Sequence, residues 1–225
     1  MKSEGVRRYR CEPRRQICST NKMNECIRRK ALDLHNHFRS RLARGKVRWR
    51  NRERLPQGAA ILKLKYDCDL ERDARFTMKK CKRDEIDYKE MTGEELNIDI
   101  IDHSLAGSRL QALKVAIYKW WYTVKEHDPI KGLMFTKDME NKTIKTFTRM
   151  AWDTTSHIGC YVRNCSDGYH VSCVGNILND LIYEKGRACS LCREFDLACG
   201  RETRLCIEKK KTSKRFGTTA LTRPR

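Results

Sequence analysis

The cysteines constrain this chain more than any other feature. Twelve of them, an even number, are spread over its 225 residues at Cys11, Cys18, Cys26, Cys68, Cys81, Cys160, Cys165, Cys173, Cys189, Cys192, Cys199 and Cys206. In a reducing cytosol such residues stay thiols or become metal ligands, whereas export pairs them as disulfides. The expectation is an oxidised, extracellular protein. The rival is an intracellular zinc and nucleic-acid protein with twelve free thiols. Which cysteine pairs with which stays open, because sequence does not dictate connectivity.

Export needs a leader, and the opening MKSEGVRRYRCEPRRQIC has no apolar stretch to serve as one. Either a signal peptide not present in this sequence was removed, or the chain is not exported; the cysteines favour the first. Two sequons, at Asn141 and Asn164, are compatible with secretion and are the candidate glycosylation sites. No run of about 18 apolar residues exists to span a membrane.

Charge narrows the partners. Lys and Arg number 49 against 29 Asp and Glu, a net charge of +20. Such a surface attracts nucleic acid, anionic lipid head groups and sulfated glycans. Arg44, Lys46, Arg48, Arg50, Arg52 and Arg54 alternate strictly, with Trp49 among them. On an extended strand that spacing places six cations on one face; in a loop it still gathers them within about a Debye length. These six are the candidate polyanion-binding residues, a solvated loop being the plain alternative. Arg grips sulfate through paired N–H donors, as it grips phosphate. Nucleic acid ranks lower, because no aromatic-rich single-strand platform or helix-turn-helix pattern accompanies the charge.

Ile27, Ala31, Leu34, Phe38 and Leu42 recur at helical spacing, with Gly45 placed to end the helix. Leu70, Ala74, Met78 and Cys81 form a second stripe after Tyr66 and Asp67. Leu110, Leu113, Ile117, Trp120 or Trp121, and Val124 form a third, with Pro129 beyond its end. All three read as core packing. IGCYVRNC and GYHVSC, within residues 158–174, are β-prone runs joined at Ser166-Asp167-Gly168, where Asp-Gly supplies the positive φ angles of a tight hairpin. Helices followed by a hairpin suggest a sheet covered by helices. The expected organisation is a basic N-terminal segment over residues 1–20, a main domain over 21–183, a cysteine-rich extension over 184–207 and a basic disordered tail over 208–225.

Four segments in register carry a family resemblance. ALDLHNHFRSRLARGKV contains a His-Asn-x-x-Arg core at His35, Asn36 and Arg39. LPQGAAILKLKYDCDLERDA follows, then FTRMAWDTTSHIGCYV around Trp152, Thr155, Gly159 and Cys160, then IYEKGRACSLC. Together they resemble the CAP superfamily of cysteine-rich secretory, antigen 5 and pathogenesis-related proteins. The branch most like them is the activation-associated, venom-allergen-like secreted proteins of parasitic nematodes. That resemblance implies an α+β fold, a three-layer α-β-α sandwich with a small cysteine-rich C-terminal extension, stabilised by disulfides.

It also implies a cleft in which two His and two Glu hold a divalent metal, a donor set that suits zinc. Aligned on the family's motifs, those positions are occupied here by Glu85, Glu94, Val124 and Thr146. One of the four ligand types survives, at Glu94 in Gly93-Glu94-Glu95. The expectation is a vestigial cleft with no metal, no cofactor and no enzymatic activity. The alternatives are a metal-dependent hydrolase with a rearranged site, for instance at His127 and Glu126, and a sterol- or fatty-acid-binding groove of the kind the family suggests. Cys189-x-x-Cys192 invites a zinc-ribbon reading, but the next spacings, to Cys199 and Cys206, fit disulfides better. The expected partners are sulfated glycans or other acidic macromolecules, and a host protein receptor.

Overall fold

The computed structural model describes residues 16–20, 22–81, 94–176 and 181–209. Cys11, Glu85, the start of the basic N-terminal segment and almost all of the basic tail lie outside the described residues.

Helix α1 (Glu25–Ala43) begins where Asn24 Oδ1 accepts the Cys26 N–H at 2.7 Å. It ends at Arg44 and Gly45, whose φ of 63° turns the chain out of the helix. Its expected stripe is buried, from Ile27 to Leu42. Strand β1 (Lys65–Tyr66) leads into α2 (Cys68–Thr77), capped by Asp67 Oδ1 on the Asp69 and Leu70 N–H groups. The second stripe is shorter than its spacing suggests. Cys81 lies past the helix at φ 51°, bonded to Cys165 at the end of a strand.

Strand β2 (Glu94–Ile101), α3 (Arg109–Tyr122), α4 (Ile144–Ala151), β3 (His157–Cys165) and β4 (Gly168–Asn176) complete the body. The sheet runs β1-β3-β4-β2, with β1 parallel to β3 and the other pairs antiparallel. The β3–β4 hairpin forms as expected, but its turn chemistry differs. Cys165 pairs with Gly168, so Ser166 and Asp167 are the loop, and positive φ falls on Gly168 alone, at 138°. Gly168 is already in the strand, where a side chain would meet Ile101 O at 2.7 Å.

Three layers result. On one face α2 packs on β3 and β4. A Cβ on Gly159 would sit 2.1 Å from Glu71 N, and Ser172 Oγ donates to Ala74 O at 2.7 Å, so the α2 backbone lies directly on the sheet. On the other face α1, α3 and α4 pack together through Phe38, stacked on Trp121 at 4.8 Å, and Phe147, edge-on to Trp121 at 4.9 Å.

The His-Asn-x-x-Arg residues are structural. Asn36 exchanges hydrogen bonds with the Leu64 backbone at 3.0 and 2.8 Å. Arg39, fully buried, donates to the carbonyls of Leu62, Met150, Trp152, Asp153 and Thr155, and so ties α1 to the turn that enters β3. Burial lowers its pKa to about 10. Arg28, also buried, grips both carboxylate oxygens of Glu71 at 2.6 and 2.7 Å and joins α1 to α2.

Five disulfides are described, pairing Cys18 with Cys68, Cys81 with Cys165, Cys160 with Cys173, Cys189 with Cys199 and Cys192 with Cys206. Cys26 is disulfide-bonded as well. The last two bridges staple the extension, which carries the small hairpin β5 (Leu197–Cys199) and β6 (Cys206–Glu208). No helix among the described residues is long and apolar enough to cross a membrane.

Candidate functional site

Two regions compete for the functional site: the basic run after α1 and the positions expected to form the metal cleft. The basic run is not one extended strand. Over residues 46–50 it alternates as such a strand would, with Val47 and Trp49 buried and Lys46, Arg48 and Arg50 exposed. The chain then turns at Arg52, whose φ is 70°, and returns so that Arg54 faces Arg48 in an antiparallel bridge. Trp49 N–H donates to Glu53 O at 2.9 Å across the turn. The cations therefore cover the outside of a tight loop rather than one strand face.

Trp49 explains why the loop has a defined shape. Its ring lies 6.3 Å from Phe147, at the edge of the aromatic cluster of α1, α3 and α4. Burying one large apolar side chain anchors a loop that is otherwise charged. Arg50 is further held by an ion pair with Asp128, and Arg48 by donating to Arg52 O. Arg44 stands apart at the helix end, donating to Glu202 O in the extension. Lys46, Arg48, Arg52 and Arg54 have no carboxylate partner among the described residues.

The described positions expected to form a metal cleft offer poor metal chemistry. Val124 is wholly buried and has no donor atom. The Thr146 hydroxyl is spent on the carbonyls of Trp120 and Thr143, at 3.1 and 2.9 Å, and lies 3.3 Å from the Thr123 hydroxyl. Glu94 opens β2 opposite Asn176. The positions that would need imidazole or carboxylate at Val124 and Thr146 do not supply it, so the described donor set does not fit zinc.

The histidines do not rebuild the site. His127 and Glu126 both reach Thr143, at 2.8 and 3.5 Å, and belong to no cluster of three metal-ligating groups among the described residues. The one such cluster is Cys165, Asp167 and His170, and Cys165 is already bonded to Cys81. His103 contacts Asn164 Oδ1 at 2.9 Å. His35 is buried and donates from Nδ1 to Ala31 O at 2.8 Å; burial lowers its pKa to about 4, so it is neutral at physiological pH.

His35 also lines a small cavity of about 20 Å³ together with Asn97, Thr155, Leu64, Ile158 and Val174. That is room for one water and far too little for a sterol or fatty acid. The sequon residues Asn141 and Asn164 are both exposed. The cysteine-rich end forms disulfides rather than a zinc ribbon.

Comparison with known proteins places these features. The family described as "CAP: Cysteine-rich secretory protein family" matches residues 32–176. Ancylostoma secreted protein of Ancylostoma caninum is 33% identical over 192 residues, covering 80% of this chain and 44% of that one. The chain thus spans less than half the length of that relative. Hookworm platelet inhibitor 1, of the same organism, is 27% identical over 180 residues and 77% of each chain. The crystal structure of NaASP2 with Zn2+ superposes at a TM-score of 0.76 with 29% identity, covering 84% of this chain and all of that one.

Proposed function

The chain belongs to the CAP family of cysteine-rich secretory proteins, and from that premise we propose that it is a secreted, non-enzymatic binding protein whose partner is a sulfated glycan. The observation that carries this reading is the anchored loop that presents Lys46, Arg48, Arg52 and Arg54 to solvent without carboxylate partners among the described residues. A loop bound only by solvent would not need a buried tryptophan at its centre. Sulfate suits the geometry, because a guanidinium donates two parallel N–H groups to paired oxygens.

The non-enzymatic part rests on Val124 and Thr146, which take no metal ligand into the cleft. A zinc chelator is expected to leave glycan binding unchanged, and a large loss on chelation overturns the metal-free reading. A hydrolase with a rearranged site would instead bind stoichiometric metal and lose activity on Glu94→Ala. The relative named for platelet inhibition supports action at an extracellular surface, with a host protein as a further partner.

The test is retention on immobilised heparin across a salt series. The intact chain is expected to be held and to elute earlier as salt rises. A variant with Arg48, Arg50, Arg52 and Arg54 all changed to Ala is expected to elute at lower salt. Elution of both proteins together near physiological salt overturns the reading.

A further inference from the structure

Arg44 is far in sequence from Lys185, Arg187 and Arg204, yet the four line one open groove of about 770 Å³, together with Pro56 and Gln57. The groove lies on the seam between the end of α1 and the cysteine-rich extension. No acidic side chain lines it. None of the four cations has a carboxylate partner among the described residues, whereas Arg50, Lys65, Lys119, Lys142 and Lys209 are each paired with one. A concave site walled by one sign of charge focuses the field and concentrates counter-charge within it.

The backbone that carries these cations is fixed. Gly45, at φ 63°, turns the chain back so closely that a Cβ there would lie 3.1 Å from Gln57 Cγ. Gln57 then holds the other wall. Its carbonyl accepts the Gly186 N–H at 2.9 Å and its Oε1 accepts the Ala188 N–H at 3.1 Å, while Lys185 bridges Gly58. These contacts set the positions of Lys185 and Arg187. Arg204 sits at φ 56°, a left-handed conformation that Gly or Asn would adopt at less cost. Its N–H donates to Gly200 O at 2.8 Å, and the buried Leu205 and the Cys192–Cys206 bridge follow at once.

We propose that this groove is the anchoring subsite for the glycan, taking a sulfated segment of several sugars. The exposed cations of the loop over residues 46–54, which follows Arg44 in sequence, would take further sulfates of the same glycan chain. Four cations spread over such a volume exceed what a single free sulfate needs, and the volume falls within the range of pockets for small ligands. No aromatic side chain lines the groove, so it offers no platform for stacking nucleobases. The inference rests on the polyanion reading above and deepens it by giving it a site.

Titration calorimetry with a heparin decasaccharide tests it, on the intact chain and two variants. The groove variant combines Lys185→Gln, Arg187→Gln and Arg204→Gly; the loop variant is the four-fold Arg→Ala change already described. Thermal unfolding and circular dichroism establish that each is folded. The groove variant is expected to bind about tenfold more weakly, with a shallower dependence of affinity on salt by about one unit of log–log slope per cation removed. If Arg204→Gly loosens the extension, Lys185→Gln with Arg187→Gln alone is expected to weaken binding about threefold. A groove variant that binds like the intact chain while the loop variant is weakened overturns the groove but leaves the glycan reading standing. An intact chain that binds no heparin overturns both. Single-stranded DNA of matched charge that binds as tightly as heparin, and is lost in the same variant, overturns the assignment to glycan.

Discussion

The body and the cysteine-rich extension hold their shapes by different means. The body is built around one continuous apolar cluster that runs from Met23 to Leu205 and includes Phe38, Trp120, Trp121 and Phe147. The extension has almost no core of its own: Cys192 and Cys206 are buried with Ala60 of the body, and its Ala188 and Leu205 are buried in the body's cluster. Two internal disulfides hold its shape, and a strip of backbone hydrogen bonds holds it to the body. Cys206 N–H donates to Ile61 O at 2.9 Å, Lys63 N–H to Cys206 O at 2.9 Å and Ala59 N–H to Glu184 O at 2.8 Å. A segment too short to bury a core is held by covalent links instead. The consequence is functional. The body's surface can change without disturbing its core, while the extension's staples position cations against the body at the seam.

The largest effect expected of this contrast lies in the body. Arg39→Met removes a buried donor from five carbonyls, of which Asp153 O still accepts the Leu62 N–H at 3.2 Å, and is expected to cost about 3–5 kcal/mol of unfolding free energy by denaturant titration. A loss below about 1 kcal/mol would mean that Arg39 does not hold α1 to the entry of β3.

Removing a staple acts next. Cys192→Ser with Cys206→Ser opens a bridge of sequence separation 14, worth about 3 kcal/mol by loop closure. Hydrogen exchange is expected to quicken over residues 185–208 while β3 and β4 stay protected. Uniform loss of protection would show that the two regions unfold as one unit.

Acid probes the body again, through His35. Its folded pKa, about 4, lies below the ordinary value of 6.5. The unfolded chain therefore takes up the proton first, and the stability contributed by neutral His35 is present above pH 6.5 and lost as pH falls toward 4. Between pH 7 and pH 5 the loss is about 2 kcal/mol. A His35→Gln chain is expected to lose that component of the pH dependence in parallel titrations.

The smallest effect on stability belongs to the seam. Lys185→Gln and Arg187→Gln, at exposed positions, are expected to move unfolding free energy by less than about 0.5 kcal/mol, even though binding weakens. A larger change would make these cations part of the extension's attachment rather than of a ligand site.

Much of the body was legible because burial imposes a period. The stripe from Ile27 to Leu42 and the runs either side of Ser166-Asp167 lie where period and turn residues put them. The second stripe misled at Cys81, because a bridge to Cys165 rather than helical periodicity placed that residue. That Val124 and Thr146 carry neither imidazole nor carboxylate is legible from residue type alone. The strand expected of residues 44–54 became a loop, because alternation says nothing about where the chain turns back. Lys185, Arg187 and Arg204 carried no local signal, each being one more cation in a basic sequence.

The sequence by itself determined the family, the helices and hairpin, the oxidised state expected of twelve cysteines and the absence of metal ligands at Val124 and Thr146. These are properties of residue type and short-range spacing, and a fold shared by many functions leaves the choice of ligand to the site. Only the tertiary structure decided the disulfide pairs, the role of Trp49 as an anchor and the meeting of Arg44 with Lys185, Arg187 and Arg204. Such contacts depend on which distant segments the packed core and the bridges bring together, and no local pattern in the chain encodes that proximity.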